Sequence, residues 1–267
     1  MLKKRLNFAL FWDQGFFIQS RNFRRQRVGT IDWLLQTYGI KNIVSNIDEL
    51  LILNISKGEF DFDNFRHDIE TLTQICFTPV CVGGRIDSYE TAKVLFGCGV
   101  DKIVMNTGLI KHTNIVRMIA RDFGAQSIVA AVDFQYGVDG KIRYLVNHGA
   151  DLVDDGFSRL KSFYSEDLFG ELFLNSIDRD GTGQGLDFRI FDSVDGLKEL
   201  GCPIIMCGGI GKYDHVIHGL DHGFISGVCT GNLLNFVGSG LSNVRQRLTS
   251  ERTDVTNITS VFESKRV

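Results

Sequence analysis

The segment Ser176-Ile177-Asp178-Arg179-Asp180-Gly181-Thr182, followed by Gly183 and Gly185, has residue types suited to holding an oxyanion. Glycines let backbone N–H groups approach a phosphate-class anion, and a threonine hydroxyl adds a donor. The aspartates repel such an anion, so Asp180 is suited instead to substrate hydroxyls or to holding the loop. A tight surface turn is the competing reading of the same pattern. Cys207-Gly208-Gly209 and Cys229-Thr230-Gly231 end two apolar runs, and Gly83-Gly84 and Asn106-Thr107-Gly108 end two earlier ones. One glycine at the end of a run is often only a bend. Four such ends in corresponding positions outline phosphate cradles, with Gly83, Gly84, Thr107, Gly181, Thr182, Gly208, Gly209 and Gly231 as the anion-facing positions.

Such cradles must be held at the ends of strands. Short apolar runs predict strands near 5–12, 49–55, 79–84, 101–106, 127–133, 171–177, 203–208 and 224–230. Amphipathic helical patterns fall at 61–75, 87–97, 111–123, 187–200 and 232–248. Eight runs apolar on both faces indicate parallel strands covered by helices, and eight strands close a (β/α)8 barrel. An internal repeat strengthens this. The two prolines, Pro79 and Pro203, lie 124 residues apart (203 − 79), and each opens a run ending in paired glycines. Gly99 and Gly223 share that offset, and Glu49-Leu50-Leu51-Ile52-Leu53-Asn54 resembles Glu171-Leu172-Phe173-Leu174-Asn175-Ser176 at an offset of 122 (171 − 49). Two half-barrels of four βα units give this pattern, and a duplicated half places two equivalent anion sites across the mouth.

The 267 residues suit one such barrel, with 43% hydrophobic content for its core. A net charge of −3 argues against nucleic acid or an anionic membrane as the main partner, though it permits a local basic patch. Six cysteines without CxxC spacing, mostly in apolar runs, read as buried reduced thiols in a reducing cytoplasm. The run from Leu6 to Trp12 contains an Asn and stops at Asp13, so it reads as a first strand and not as a signal peptide. No stretch is apolar for the length of a spanning helix. His215, His218 and His222 share a helical face with zinc-like spacing, but the face lies outside the barrel, where solvated histidines are the better reading. No metal or cofactor is expected. Residues 1–250 form the barrel, and the polar stretch 251–267 is a tail.

Lys4-Arg5 through Asn22-Phe23, Ile47-Asp48-Glu49-Leu50, Val82-Gly83-Gly84, Asp101-Lys102, Asn106-Thr107, Val132-Asp133, the segment from Ser176 to Thr182 and Cys207-Gly208-Gly209 resemble the cyclase subunit of imidazole-glycerol-phosphate synthase. The resemblance covers roughly residues 1–245. It implies a heterodimer with a glutaminase subunit docked at the N-terminal face of the barrel. Ammonia would then pass along the axis to a phosphorylated small molecule at the opposite face. It also implies that Arg5, Glu49, Lys102 and Glu171 form a charged gate at the entrance, and that Asp101 contacts the glutaminase. From charge alone, two acids and two bases at strand starts also fit a neutral structural layer closing the barrel floor.

The pattern breaks at the mouth. The cyclase chemistry implied by the family needs facing aspartates on strands one and five for proton transfer. Strand five supplies Asp133, but the half-repeat offset puts Phe11 at the matching place on strand one. Gln19 stands where the family carries a lysine, and Arg85 where it usually carries glycine. Asp13 is a conceivable stand-in, yet it sits about 6.5–7 Å further along the strand. A kept floor with an altered mouth resembles the cyclase-like proteins of bacterial surface-sugar amidination. There, ammonia is supplied to an ATP-dependent amidotransferase that makes an acetamidino group. The alternative is a genuine cyclase of histidine biosynthesis. The related phosphoribosyl isomerase shares the two aspartates but needs no ammonia gate.

Overall fold

A computed structural model of the protein describes residues 3–231 and 240–256. Its eight apolar runs become the barrel strands β1 (Arg5–Asp13), β2 (Glu49–Asn54), β3 (Val80–Gly83), β4 (Lys102–Met105), β5 (Ile128–Tyr136), β6 (Glu171–Ser176), β7 (Ile204–Cys207) and β8 (Gly227–Thr230). Each pairs in parallel with the next, and β8 returns to β1 with Gly227 opposite Arg5, so the sheet closes. The (β/α)8 expectation holds.

Alternation along the strands separates two cores. Phe8, Leu10 and Trp12 of β1 point outward into the helical layer, whereas Ala9 points to the axis. The axial cluster is apolar and comprises Ala9, Leu51, Cys81, Val104, Val129, Ala131, Phe173, Ile205, Cys207 and Cys229, with Phe11 and Leu53 packed on it. Below it lie the charged residues that begin the strands. Above it lie Phe11, Leu53, Asp133 and Asn175. The barrel is therefore filled in layers.

Several helices follow the expected pattern. Asp61 caps Phe62–Ile75 by accepting from the Asn64 N–H, and Ser88 caps Tyr89–Gly97 through Thr91. The stretch at 111–123 is the helix Thr113–Phe123, and a short helix, Thr107–Lys111, precedes it across His112. The helix expected over 187–200 is a correction: only Ile190–Ser193 is helical. Ser193, Asp195 and Gly196, the last with φ of +69°, turn the chain, while Ile190, Phe191, Val194 and Leu197 still bury their side chains. Of the stretch 232–248, residues 232–239 lie outside the described residues, and Gly240–Glu251 is helical.

Two hairpins extend the repeat beyond the barrel. β1 runs on into an antiparallel pairing with Phe16–Arg21, which pairs with Arg24–Gly29. β5 does the same with Ile142–Val146, which pairs with Asp151–Val153. Beyond residue 250 the chain returns to the floor side. The Lys4 N–H donates to the Asp254 carbonyl at 2.8 Å, and Val255 is buried. Residues 252–256 therefore pack with the barrel, and 257–267 lie outside the described residues.

Candidate functional site

The floor is a closed ring of four charges. Arg5 reaches Glu171 at 2.8 Å and Glu49 at 3.6 Å, and Lys102 reaches Glu49 at 2.7 Å and Glu171 at 3.0 Å. Acids and bases alternate, so every charge faces two of opposite sign. Burial acts to lower the Lys102 pKa, but Glu49, Cys81 and Glu171 outweigh it and hold the ammonium above its ordinary range. Asn7, one layer in, donates to Glu49 at 2.9 Å. All four residues expected at the entrance meet. Asp101 is exposed beside β4, where its carboxylate accepts from the Val80 N–H at 2.8 Å.

At the other end is a cavity of about 400 Å³. Phe11 and Asp133 both line it, as do Gly84 and Thr107. Asn175 donates to Asp133 Oδ1 at 2.7 Å. Burial pushes the Asp133 pKa up to about 6, with the Asn175 bond opposing the shift and Asp180 adding to it. A carboxyl poised near neutrality can exchange a proton in either direction. Its counterpart on β1 cannot, because Phe11 is a hydrocarbon ring. Asp13 does not line this cavity; its carboxylate faces Arg25 at 3.3 Å.

Gly181, Gly208, Gly209 and Gly231 meet at a second, smaller hollow, together with Phe11. Thr182 turns its hydroxyl back onto the Arg179 carbonyl at 2.8 Å and lines neither hollow, and Gly83 is buried in strand packing. Gly84 has φ of +81°, and a side chain there would meet the Asn54 carbonyl. The aspartates of the Ser176–Thr182 segment are hydrogen-bonded within the protein. Asp178 accepts from the Tyr136 N–H at 2.9 Å, and Asp180 accepts from the Ser20 hydroxyl at 2.6 Å and the Phe23 N–H at 3.0 Å. Asp180 thus latches the first hairpin over β6. Asp180→Ala is expected to lower stability by about 2–4 kcal/mol and to speed hydrogen exchange at the Phe23 amide. Chemical denaturation and exchange mass spectrometry read both; unchanged exchange would remove the latch.

Sequence reasoning missed the basic side of the cavity. Arg25, Lys57 and His148 line it beside Arg85. His148 rides the turn of the second hairpin, whose short apolar strand Ile142–Val146 lies outside the eight expected runs. His215, His218 and His222 do not converge as ligands. His222 stacks on Phe188 and Phe191, and no metal-ligating cluster occurs among the described residues. All six cysteines are unbridged. No described helix is long and apolar enough to cross a membrane.

The class defined by this fold and site is a barrel of two duplicated halves with a charged floor and glycine-lined hollows at its mouth. The family described as "Histidine biosynthesis protein" matches residues 39–238. A protein of Parasynechococcus marenigrum (strain WH8102), provisionally named imidazole glycerol phosphate synthase subunit hisF2, is 40% identical over 92% of this chain and 91% of its own length. A protein of Pseudomonas aeruginosa with the same provisional name is 31% identical over 72% of this chain and 76% of its own. The imidazole glycerol phosphate synthase subunit HisF of Legionella pneumophila is 29% identical over 66% and 82%. The chain belongs to the histidine biosynthesis protein family, as a divergent member of the cyclase-subunit type of imidazole glycerol phosphate synthase.

Proposed function

We propose that this chain receives ammonia from a glutaminase partner at its floor and releases it at its mouth to an ATP-dependent amidotransferase. That enzyme would convert an N-acetyl group of a surface sugar to an acetamidino group. The observation that carries this reading is Phe11 opposite Asp133 above a complete ring of Arg5, Glu49, Lys102 and Glu171. The apolar axial layer between them favours neutral ammonia, because an ammonium ion there would lose its hydration without a partner. Asp101, exposed on the floor side, fits the glutaminase contact.

A second reading, cyclase of histidine biosynthesis, is favoured by Asp133 itself, whose pKa near 6 suits general acid–base work. The test is ammonia-dependent ring closure by the purified chain, with the family's phosphoribosyl substrate and high ammonium at mildly basic pH. No turnover above background is expected. Turnover of about 1 s⁻¹ or more, ordinary for an enzyme, would overturn the conduit reading in favour of the cyclase.

A further inference from the structure

We infer that the two halves of the mouth have become unequal, and that the chain binds one phosphate-class group at Arg85, Lys57 and His148 in place of one at each cradle. This rests on the anion reading of the mouth but departs from the two-ended symmetry that the repeat implies. Arg85 occupies the position that Gly209 holds in the second half (209 − 85 = 124), and Phe11 the position that Asp133 holds (133 − 11 = 122). Both substitutions lie in the first half-barrel: Arg85 adds a cation to its own hollow, whereas the Phe11 ring reaches across to Gly231 in the second.

On the first side, Arg85 is held at φ of +61°, directly after Gly84. A non-glycine residue there costs about 1 kcal/mol, so the guanidinium is kept against a local preference for glycine. Its Nε is buried without a hydrogen-bond partner, and the group lies over the Phe60 ring at 5.4 Å. Arg25 is committed to Asp13, but Lys57 and Arg85 have no carboxylate partner among the described residues. His148, at φ of +59°, faces Arg25, Lys57 and Arg85, with Asp13 nearby. Burial first, and then those cations, hold its pKa down, which leaves a neutral imidazole to hydrogen-bond a ligand. Asp87 and Asp133 are the acids lining the same cavity.

The second side, as its described residues line it, is small and lacks cations. Its hollow holds about 20 Å³, less than one bound phosphate needs. Among the described residues neither lysine, arginine nor histidine lines it, and Asp180 is the carboxyl that does. The Phe11 ring packs against Gly231 so closely that an added Cβ would fall 2.9 Å from it. The ligand this geometry suits is therefore a phosphate monoester with a small polyol body lying in the cavity of about 400 Å³.

Calorimetry with inorganic phosphate, glycerol 3-phosphate and fructose 1,6-bisphosphate tests this on the full chain. One phosphate per chain is expected, with the monoester binding more tightly than inorganic phosphate and the bisphosphate no tighter than the monoester. Arg85→Gly, which also relieves the left-handed backbone, is expected to weaken binding by about tenfold or more, and Arg85→Gln serves if the glycine variant fails to fold. By proton NMR the His148 pKa should rise when phosphate neutralises its cationic neighbours. Two phosphates per chain, a bisphosphate bound more than about tenfold tighter, or Arg85 variants that bind like the original chain would overturn the asymmetry. Equal binding of inorganic phosphate and the monoester would overturn the small-molecule ligand. No phosphate binding at all would overturn the anion reading of the whole mouth while leaving the ammonia-conduit reading standing.

Discussion

Lys102→Met is expected to cut the ammonia delivered per glutamine hydrolysed by about tenfold in the reconstituted complex, while acceptance of added ammonium stays intact. The substitution removes charge from the floor with little change in volume. It leaves Glu49 and Glu171, now opposed by Arg5 alone, with only one counter-charge between two carboxylates. Breaking a buried pair costs about 3–5 kcal/mol, and the 18% exposure of the Lys102 side chain places the expected loss nearer 2 kcal/mol. A barrel of ordinary stability survives that loss. The measurement is glutamate released against product formed with the amidotransferase, or with the phosphoribosyl substrate as acceptor. An unchanged ratio would reduce the ring to a structural seal.

Asp133→Asn gives the second large effect, and it depends on pH. Burial raises the Asp133 pKa from 3.8 to about 6 in the folded chain, so the folded state binds more protons than the unfolded one between those values. Stability tied to this group is complete below about pH 4 and is lost as pH climbs through 6. The shift corresponds to about 3 kcal/mol at most; because the carboxyl borders an open cavity, about 2 kcal/mol is the figure to test. The asparagine variant is neutral throughout and can still accept from Asn175. It should be more stable than the original chain by that amount at pH 7.5 and no more stable at pH 4. Denaturant midpoints at the two pH values check this, and parallel curves would mean the carboxyl titrates normally.

The barrel was legible because each strand is a short apolar run bounded by glycine, proline or charge, and because the half-repeat counts the strands twice. The charged floor was legible through Glu49 and Glu171, which stand at equivalent strand starts. The hairpins were not. Arg24–Gly29 carries three arginines and no alternation, and its pairing depends on Asp180, far away in sequence. The same blindness hid Arg25 and His148, whose approach to Arg85 is tertiary. At 187–200 the apolar period was right and the helix wrong, since burial needs only that Ile190, Phe191, Val194 and Leu197 face inward, which turns also achieve. Asp180 was the ambiguous residue. Its chemistry fits a hydroxyl of either substrate or protein, and the partner proved to be Ser20.

The floor ring also bears on how the chain assembles. Arg5, Glu49 and Lys102 come from the first half-barrel, and Glu171 from the second. Each is costly to dehydrate until its opposite charges arrive: Arg5 meets Glu49 across neighbouring strands of one half, but it meets Glu171 only when the second half-barrel packs on the first. The completed ring is therefore expected to form late in folding, after most of the apolar surface is gathered, and φ-values near zero for Glu171 variants would check this. Charges of this kind act on the rate of unfolding far more than on the rate of folding. The same four residues then set the lifetime of the closed barrel as well as what enters it.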